Sequence, residues 1–347
     1  MSGKKQGICR FFSIMCIYLL ILQISIAQQR DFGGMEGLLK LQQKSLGKDL
    51  VMVIAKDGKN TYVLQTPEFN AKMAVPLEQA SSWLTSAVVM TFVDAGKVSL
   101  DDKVSMYIPE FSKYFKGYIT LRHCLTHLTG IEAEAAGVLR IAQKNRFENL
   151  QEEVMHYVSK RQIITNAGEA FHFSQVGPNI AARVIEVVSK KTFDRVALER
   201  LFRPCSMRTT SFYSDIGGIN PATGARASAQ DYINFMSMLL NKGMFNGKRV
   251  LSEASVAELV KDQTAGKPMQ SALRICEGYS YSLGAWVQES DEAGNAVVLS
   301  CPGLAGAWPW LDLRRGYAAI VLPSKEPADM RRDIYEMIKQ EIDDQMR

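Results

Sequence analysis

Hydrophobic positions along the chain repeat with two different periods, and the switches between them predict its architecture. Near the start, MEGLLKLQQKSL sets Met35, Leu38, Leu39 and Leu46 near helical spacing. Two apolar runs then flank Asp57 and Gly58 in DLVMVIAKDGKNTYVLQ, the composition of a hairpin. In EQASSWLTSAVVMTFVDAGKVSLDD, Glu78 to Asp102, the residues Leu84, Ala87, Val88, Val89, Met90, Phe92 and Val93 lie on almost every side. That predicts a helix buried all round, with Gly96 as its left-handed stop. From about 100 to 270 the pattern is mostly helical, in GVLRIAQKN, NLQEEVMHYVSKR, GPNIAARVIEVVSKK, SAQDYINFMSMLLNKG and SEASVAELVKDQ. Strand character returns in YSLGAWVQES, AVVLS, GAWPWLDL and GYAAIVLPS. The closing segment EPADMRRDIYEMIKQEIDDQMR predicts a helix with Pro327 at its start and Met330, Ile334, Met337, Ile338 and Ile342 on one face.

Strands at both ends of the chain with helices between them predict an α/β (α+β) fold. Its antiparallel sheet is closed by distant segments and flanked by N- and C-terminal helices, beside a helical lobe. A single domain over 28–347 is expected, with a sheet lobe at about 33–75 and 275–347 and a helical lobe at about 76–274. No internal repeat or low-complexity segment interrupts it.

The first 27 residues read as a secretory signal: Lys4, Lys5 and Arg10 precede FFSIMCIYLLILQISIA, and Ser25 and Ala27 supply a small-x-small cleavage pattern. The apolar run is short for a membrane span of about 20 residues, and Cys16 lies inside it rather than at its end. A secreted or periplasmic protein, with no membrane attachment after signal removal, is the expectation. Removing the segment takes three positive charges and lowers the net charge from +5 to +2, so nothing strongly basic argues for nucleic acid. Four cysteines remain, Cys124, Cys205, Cys276 and Cys301. Their wide spacing indicates neither a zinc site nor a small disulfide scaffold, and an oxidising compartment permits one disulfide without demanding it. Neither a metal nor a cofactor is called for.

Several long blocks carry a resemblance. FVDAGKVSLDDKVSMYIPEF followed by ITLRHCLTHLTGI, then FDRVALERLFRPCSMRTTSF and ASAQDYINFMSMLLNKGMFNGKRVLSEASVAEL, resemble the class C β-lactamase, penicillin-binding protein and serine esterase family, in the right order and over about 33–340. The resemblance implies a β-lactamase/transpeptidase-like fold whose cleft lies between sheet and helical lobe and is lined by three motifs. In SxxK, serine and lysine are helical neighbours, so the amine takes the hydroxyl proton. Counted back from Gly96, the serine position is Gln79 and the lysine position is Ser82. In Tyr-x-Asn, the phenol position is Phe173 and the amide position Gln175; Phe173 keeps the ring and lacks the oxygen. The strand motif Lys-Thr-Gly becomes Cys301, Pro302 and Gly303. By the same resemblance, the backbone N–H groups of Gln79 and Leu304 would form the oxyanion hole.

A serine hydrolase needs a nucleophile and a proton acceptor from side chains and an oxyanion hole from the backbone; only the last survives these replacements. A degenerate enzyme that binds a peptide, acyl or cell-wall ligand, or a protein partner, is the leading expectation. The ligand-binding cleft is assigned to Gln79, Ser82, Phe173, Gln175, Cys301, Gly303 and Leu304. The rival is an active esterase, peptidase or β-lactamase using Ser82 or another nucleophile. His172 is then the nearest base, although alternation along an extended segment turns it away from Phe173. Cys301 would need a neighbouring base or cation to fall below a thiol pKa of about 8.5 and reads instead as a packed thiol or disulfide partner. His127, in LTHLTG, reads as a packing and hydrogen-bonding residue, while His123 and His156 lack company for a metal. Trp308 and Trp310 either line the cleft or pack in the core. Trp83 reads as core, and Asp101 and Asp102 as a turn and helix start.

Overall fold

The computed structural model describes residues 32–47, 49–133, 147–214, 217–325, 327 and 331–346. Residues 1–27, read above as a signal, and GVLRIAQKN lie outside them.

Helix α1, Gly33–Leu41, leads into β1, Leu50–Lys56, and β2, Lys59–Leu64. The hairpin turns at Asp57 and Gly58, with φ of 53° and 72°, the two left-handed positions that a tight hairpin of this hand requires. The helical lobe follows: α2, Ser81–Asp94; α3, Leu150–Lys160; α4, Val176–Ser189; α5, Ala229–Leu240; and α6, Glu253–Val260. The chain then returns to the sheet through β3, Ser280–Tyr281; β4, Trp286–Ser290; β5, Ala296–Ser300; β6, Trp308–Asp312; and β7, Tyr317–Pro323. It ends in α7, Arg332–Gln345.

The seven strands lie in the order β3-β4-β5-β6-β7-β1-β2 and pair antiparallel throughout. The closing pair joins β1 to β7 over its whole length, from Leu50 opposite Pro323 to Lys56 opposite Tyr317. Because side chains alternate across a strand, each central strand feeds two cores. Val51, Val53 and Ala55 with Ala318, Ile320 and Leu322 pack toward the helical lobe. Leu50, Met52 and Ile54 with Ala319 and Val321 pack toward the terminal helices, against Met35 and Leu39 of α1 and Ile334, Tyr335, Ile338 and Ile342 of α7. Both faces are therefore apolar, and the sheet is covered on each side.

Two expectations are corrected by α7. It begins at Arg332, well past Pro327, so the proline precedes the helix instead of occupying its first turn. Its inward face uses Tyr335 where the pattern suggested Met337, which is exposed; Met330 is outside the described residues. Trp308 and Trp310 are wholly buried on this same side, the Trp308 ring stacked on Tyr335 with centroids 4.1 Å apart. They belong to the core under the terminal helices and do not reach the cleft.

Candidate functional site

Helix α2 runs through the centre of the helical lobe, and every residue from Ser81 to Phe92 is buried. With no polar face to hold it in place, its entry is fixed by hydrogen bonds from neighbouring backbone. The Ser82 hydroxyl donates to the Ala222 carbonyl at 3.0 Å, Thr85 donates to the Pro221 carbonyl at 2.7 Å, and the Ala225 N–H donates to Ser81 Oγ at 3.0 Å. Tyr232 of α5 donates to the Ala80 carbonyl at 2.9 Å. The segment 220–225 is thus bound to the start of α2 by three separate groups, and α5 adds a fourth bond through Tyr232.

One turn ahead of Ser82, the 3-10 turn Glu78–Ala80 presents Gln79. Glu78, immediately before it, has φ +48°, a left-handed conformation that is strained for a residue with a side chain and is held here by the surrounding structure. Gln79 is half-buried, and its side-chain oxygen accepts the Leu304 N–H at 2.9 Å. The loop after β5 can come this close because Gly303 has no Cβ: one would sit 2.0 Å from the Leu77 carbonyl oxygen. The close approach therefore sets the Leu304 N–H on the side chain of residue 79.

Cys301 precedes that contact. Its thiol donates to the carbonyls of Gln79 and Gly284, both at 3.3 Å, and complete burial pushes its pKa up to about 12. Ser82 and Cys301 thus depart from the expectation of cleft-lining side chains: they are 2% and 1% exposed. Ser82 directs its proton at one carbonyl, and the single S–H of Cys301 is shared between two. No disulfide is formed by Cys124, Cys205, Cys276 and Cys301, all buried free thiols.

The phenol position, Phe173, packs half-buried among aromatic rings, 4.6 Å from His127 and 5.3 Å from Trp286 between centroids. His127 accepts the Ser174 N–H at Nδ1, 3.4 Å, which leaves its proton on Nε2, facing the Tyr281 hydroxyl at 3.1 Å. Burial lowers its pKa from 6.5 to about 3, so it is a neutral packing group. His172, considered as a base, has its ring nitrogen 3.2 Å from Thr165 Oγ1, and burial lowers its pKa as well.

Gln175 closes the set. Its side-chain oxygen accepts from Asn220 Nδ2, while Asn220 Oδ1 accepts the Ala222 and Thr223 N–H groups at 3.0 and 3.2 Å. Sequence reasoning missed Asn220, Ala222 and Tyr232. The turn dipeptide Asn220-Pro221 was the available signal, but nothing in the local pattern connects it to α2. Among the described residues no group of three or more His, Cys, Asp or Glu side chains is placed to hold a metal, and no helix is long and apolar enough to cross a membrane.

The family model described as "Beta-lactamase" matches residues 80–341. The chain belongs to the beta-lactamase family. Protein flp of Staphylococcus aureus (strain NCTC 8325 / PS 47) is 24% identical to this chain over 131 residues, which are 37% of this chain and 26% of that protein. Beta-lactamase-like protein 2 of Dictyostelium discoideum is 22% identical over 214 residues, 51% of this chain and 38% of its own. The chain therefore spans well under two thirds of the length of these curated relatives. Among solved structures, a candidate beta-lactamase from Bacteroides dorei DSM 17855 is similar with a TM-score of 0.81 at 23% identity, covering 91% of this chain and 98% of the other. EstCE1, described as a hydrolase with promiscuous acyltransferase activity, follows with a TM-score of 0.71 at 17% identity over 93% and 99%. These likenesses establish the beta-lactamase fold, a serine-hydrolase scaffold.

Proposed function

We propose that this beta-lactamase-family protein is an exported, non-hydrolytic binder of an acyl, peptide or cell-wall ligand. The observation that supports this reading is the Gln79 side chain. At the residue where the resemblance requires a nucleophilic hydroxyl there is an amide, and its oxygen already holds the Leu304 N–H at 2.9 Å. An amide carbonyl on that donor resembles the acyl group of an acylated serine, so the chain fills with its own side chain the place where a substrate carbonyl would be activated. Neither neighbouring protic group supports a nucleophile's role: Ser82 donates to Ala222 O and Cys301 to two carbonyls, and neither hydrogen-bonds a base among the described residues. The scaffold has structural relatives described as a hydrolase and as a family VIII carboxylesterase, which is why an acyl-type ligand is the class proposed.

The test is covalent labelling of the purified protein with a fluorophosphonate and with a fluorescent penicillin, read by intact mass. No adduct is expected from the wild type. The triple variant Gln79→Ser, Ser82→Lys, Phe173→Tyr is expected to acylate, since it restores hydroxyl, amine and phenol at the three motif positions. Wild-type labelling that disappears in Ser82→Ala would overturn the proposal in favour of an active hydrolase.

A further inference from the structure

One turn of the helical lobe, remote in sequence from the cleft residues, shows its largest side chains to solvent. The one-turn helix Glu110–Lys113 ends in a Schellman-type closure: the Phe115 N–H donates to the Ser112 carbonyl at 3.2 Å and the Lys116 N–H to the Phe111 carbonyl at 2.7 Å. The residue that such a closure places in the left-handed conformation is usually glycine. Here it is Phe115, at φ +59°. Phe115 is 89% exposed, so no packing offsets the strain of a bulky residue in that conformation. The fold gains nothing from this ring.

The turn is nonetheless tied down from beneath. Lys116 is buried, and its amine donates to the Val158 carbonyl of α3 at 2.9 Å. The Ser105 hydroxyl donates to the Gly117 carbonyl at 3.0 Å, which brings the chain at Met106 to the chain at Tyr118. Met106, Tyr114, Phe115 and Tyr118 are all exposed. Lys103 and Lys113 are exposed with them, and none of the exposed residues of 103–118 is acidic. Lys113 Nζ lies 5.8 Å from the Tyr114 ring centroid. The one carboxylate of that segment, Glu110, is half-buried. The acids just before it are engaged, Asp101 by Arg122 at 2.8 Å and Asp102 by the Tyr107 hydroxyl at 2.6 Å.

We infer that this turn is an interfacial contact for an anionic lipid bilayer, with Phe115 as its inserting ring. Four side chains fall well short of the roughly 20–30 residues a side that a stable protein interface uses. A bilayer surface makes no such demand. The Phe115 ring and the Met106 side chain enter the acyl boundary, the phenols of Tyr114 and Tyr118 stay at headgroup level, and Lys103 and Lys113 meet the lipid phosphates. A contact of this size is reversible. It departs from the sequence-based expectation of no membrane attachment, because four side chains gathered by a turn leave no apolar run to read. The inference is independent of the non-hydrolytic reading.

The test uses the chain from residue 28 onward, which holds every described element and lacks FFSIMCIYLLILQISIA, whose own lipid affinity would mask the turn. Co-sedimentation with vesicles of equal parts phosphatidylglycerol and phosphatidylcholine is compared with vesicles of phosphatidylcholine alone. Binding is expected to the first and to be much weaker to the second. Phe115→Gly should bind about tenfold more weakly while melting no lower than the wild type, since glycine relieves the left-handed strain. A merely structural role for Phe115 would lower the melting temperature instead. Lys113→Gln should weaken binding about fivefold. Leu41→Ser, which removes another exposed apolar residue from α1 on the other face of the sheet, should leave binding unchanged. No binding to the anionic vesicles, undiminished binding of Phe115→Gly, equal binding to both vesicle compositions, or an equal loss in Leu41→Ser would each overturn the inference. Self-association that Phe115→Gly abolishes, without vesicle binding, would also overturn it and assign the turn to a second copy of the chain.

Discussion

At the scale of single residues, the site is defined by groups made neutral and internally satisfied. His127 is the clearest case that titration can reach. Its imidazole has an ordinary pKa of 6.5 when unfolded and about 3 when folded, because burial disfavours the charged form. Between those values the unfolded chain binds more protons than the folded one, so this residue's contribution makes stability rise with pH from about 3 to about 6.5 and level off above. Lowering the pH from 7 to 4.5 is expected to cost about 2 kcal/mol through His127 alone. The slope of urea-unfolding free energy against pH should flatten over this window in His127→Asn, a residue that tolerates the φ of +55° found there. An equal slope in the variant would assign the acid sensitivity elsewhere. The histidine's packing and hydrogen-bonding role is implied in the sequence by the family resemblance of LTHLTG; its partners Ser174 and Tyr281 are not legible there, because they come from segments 47 and 154 residues away.

At the scale of elements, α2 shows what periodicity can and cannot convey. Its apolar residues on every side predict a buried helix, and Gly96 at φ +61° ends the segment in the expected left-handed conformation. The groups that fix its two ends are remote. At the C-terminal end, Asp94 accepts from the N–H and hydroxyl of Ser252, both at 2.6 Å, and from the Ser255 hydroxyl at 2.6 Å. Ser252 in turn caps α6 by accepting the Ser255 N–H at 3.0 Å. One serine therefore joins a helix start to a helix end. Ser252→Ala is expected to lower stability by about 1 kcal/mol, as the loss of a cap does, measurable as a shift in the urea midpoint with an unchanged slope. The Ser-x-x-Ser start of α6 is visible in the sequence, whereas its engagement with Asp94 depends on how the helices pack.

For the whole molecule, the C-terminal helix α7 is attached to the sheet by buried charges as well as by apolar packing. Asp343 of α7 accepts from Tyr317 Oη at 2.6 Å and from Lys339 Nζ at 2.7 Å, and Lys339 also reaches Glu289 of β4 at 2.9 Å. Arg315 pairs with Asp312 at 2.9 Å and lies 3.6 Å from Asp343. Burial, followed by the Asp343 charge, holds the Tyr317 hydroxyl far above the ordinary phenol range. Lys339, Asp343 and Asp312 are all buried, so removing one member leaves its neighbours short of partners in a poorly solvated place. Asp343→Ala should cost about 3 kcal/mol in chemical denaturation, and limited proteolysis should cut first near the start of α7. A loss under about 0.5 kcal/mol would mean that apolar contacts of Ile334, Ile338 and Ile342 alone hold the helix.

The sequence by itself determined the class of fold. Two-residue alternation and helical spacing are local properties, and they specify which face of each segment must leave water. The order of those segments, with strands at both chain ends, then favours a sheet closed by distant parts of the chain. The family resemblance likewise implies, at the motif positions it assigns to Gln79 and Phe173, a missing hydroxyl and a missing phenol oxygen. Only the tertiary structure decided which way each polar group points. That Ser82 and Cys301 turn inward to carbonyls, that Trp308 and Trp310 face α7, and that the Gln79 oxygen meets the Leu304 N–H all depend on contacts between segments up to 225 residues apart. Hydrogen bonds are directional and short-ranged, so their pairing is settled only when packing brings the segments together. The question opened by a glutamine at the start of a buried helix is therefore answered by the loop after β5, where the absence of a Cβ at Gly303 lets a backbone N–H reach it.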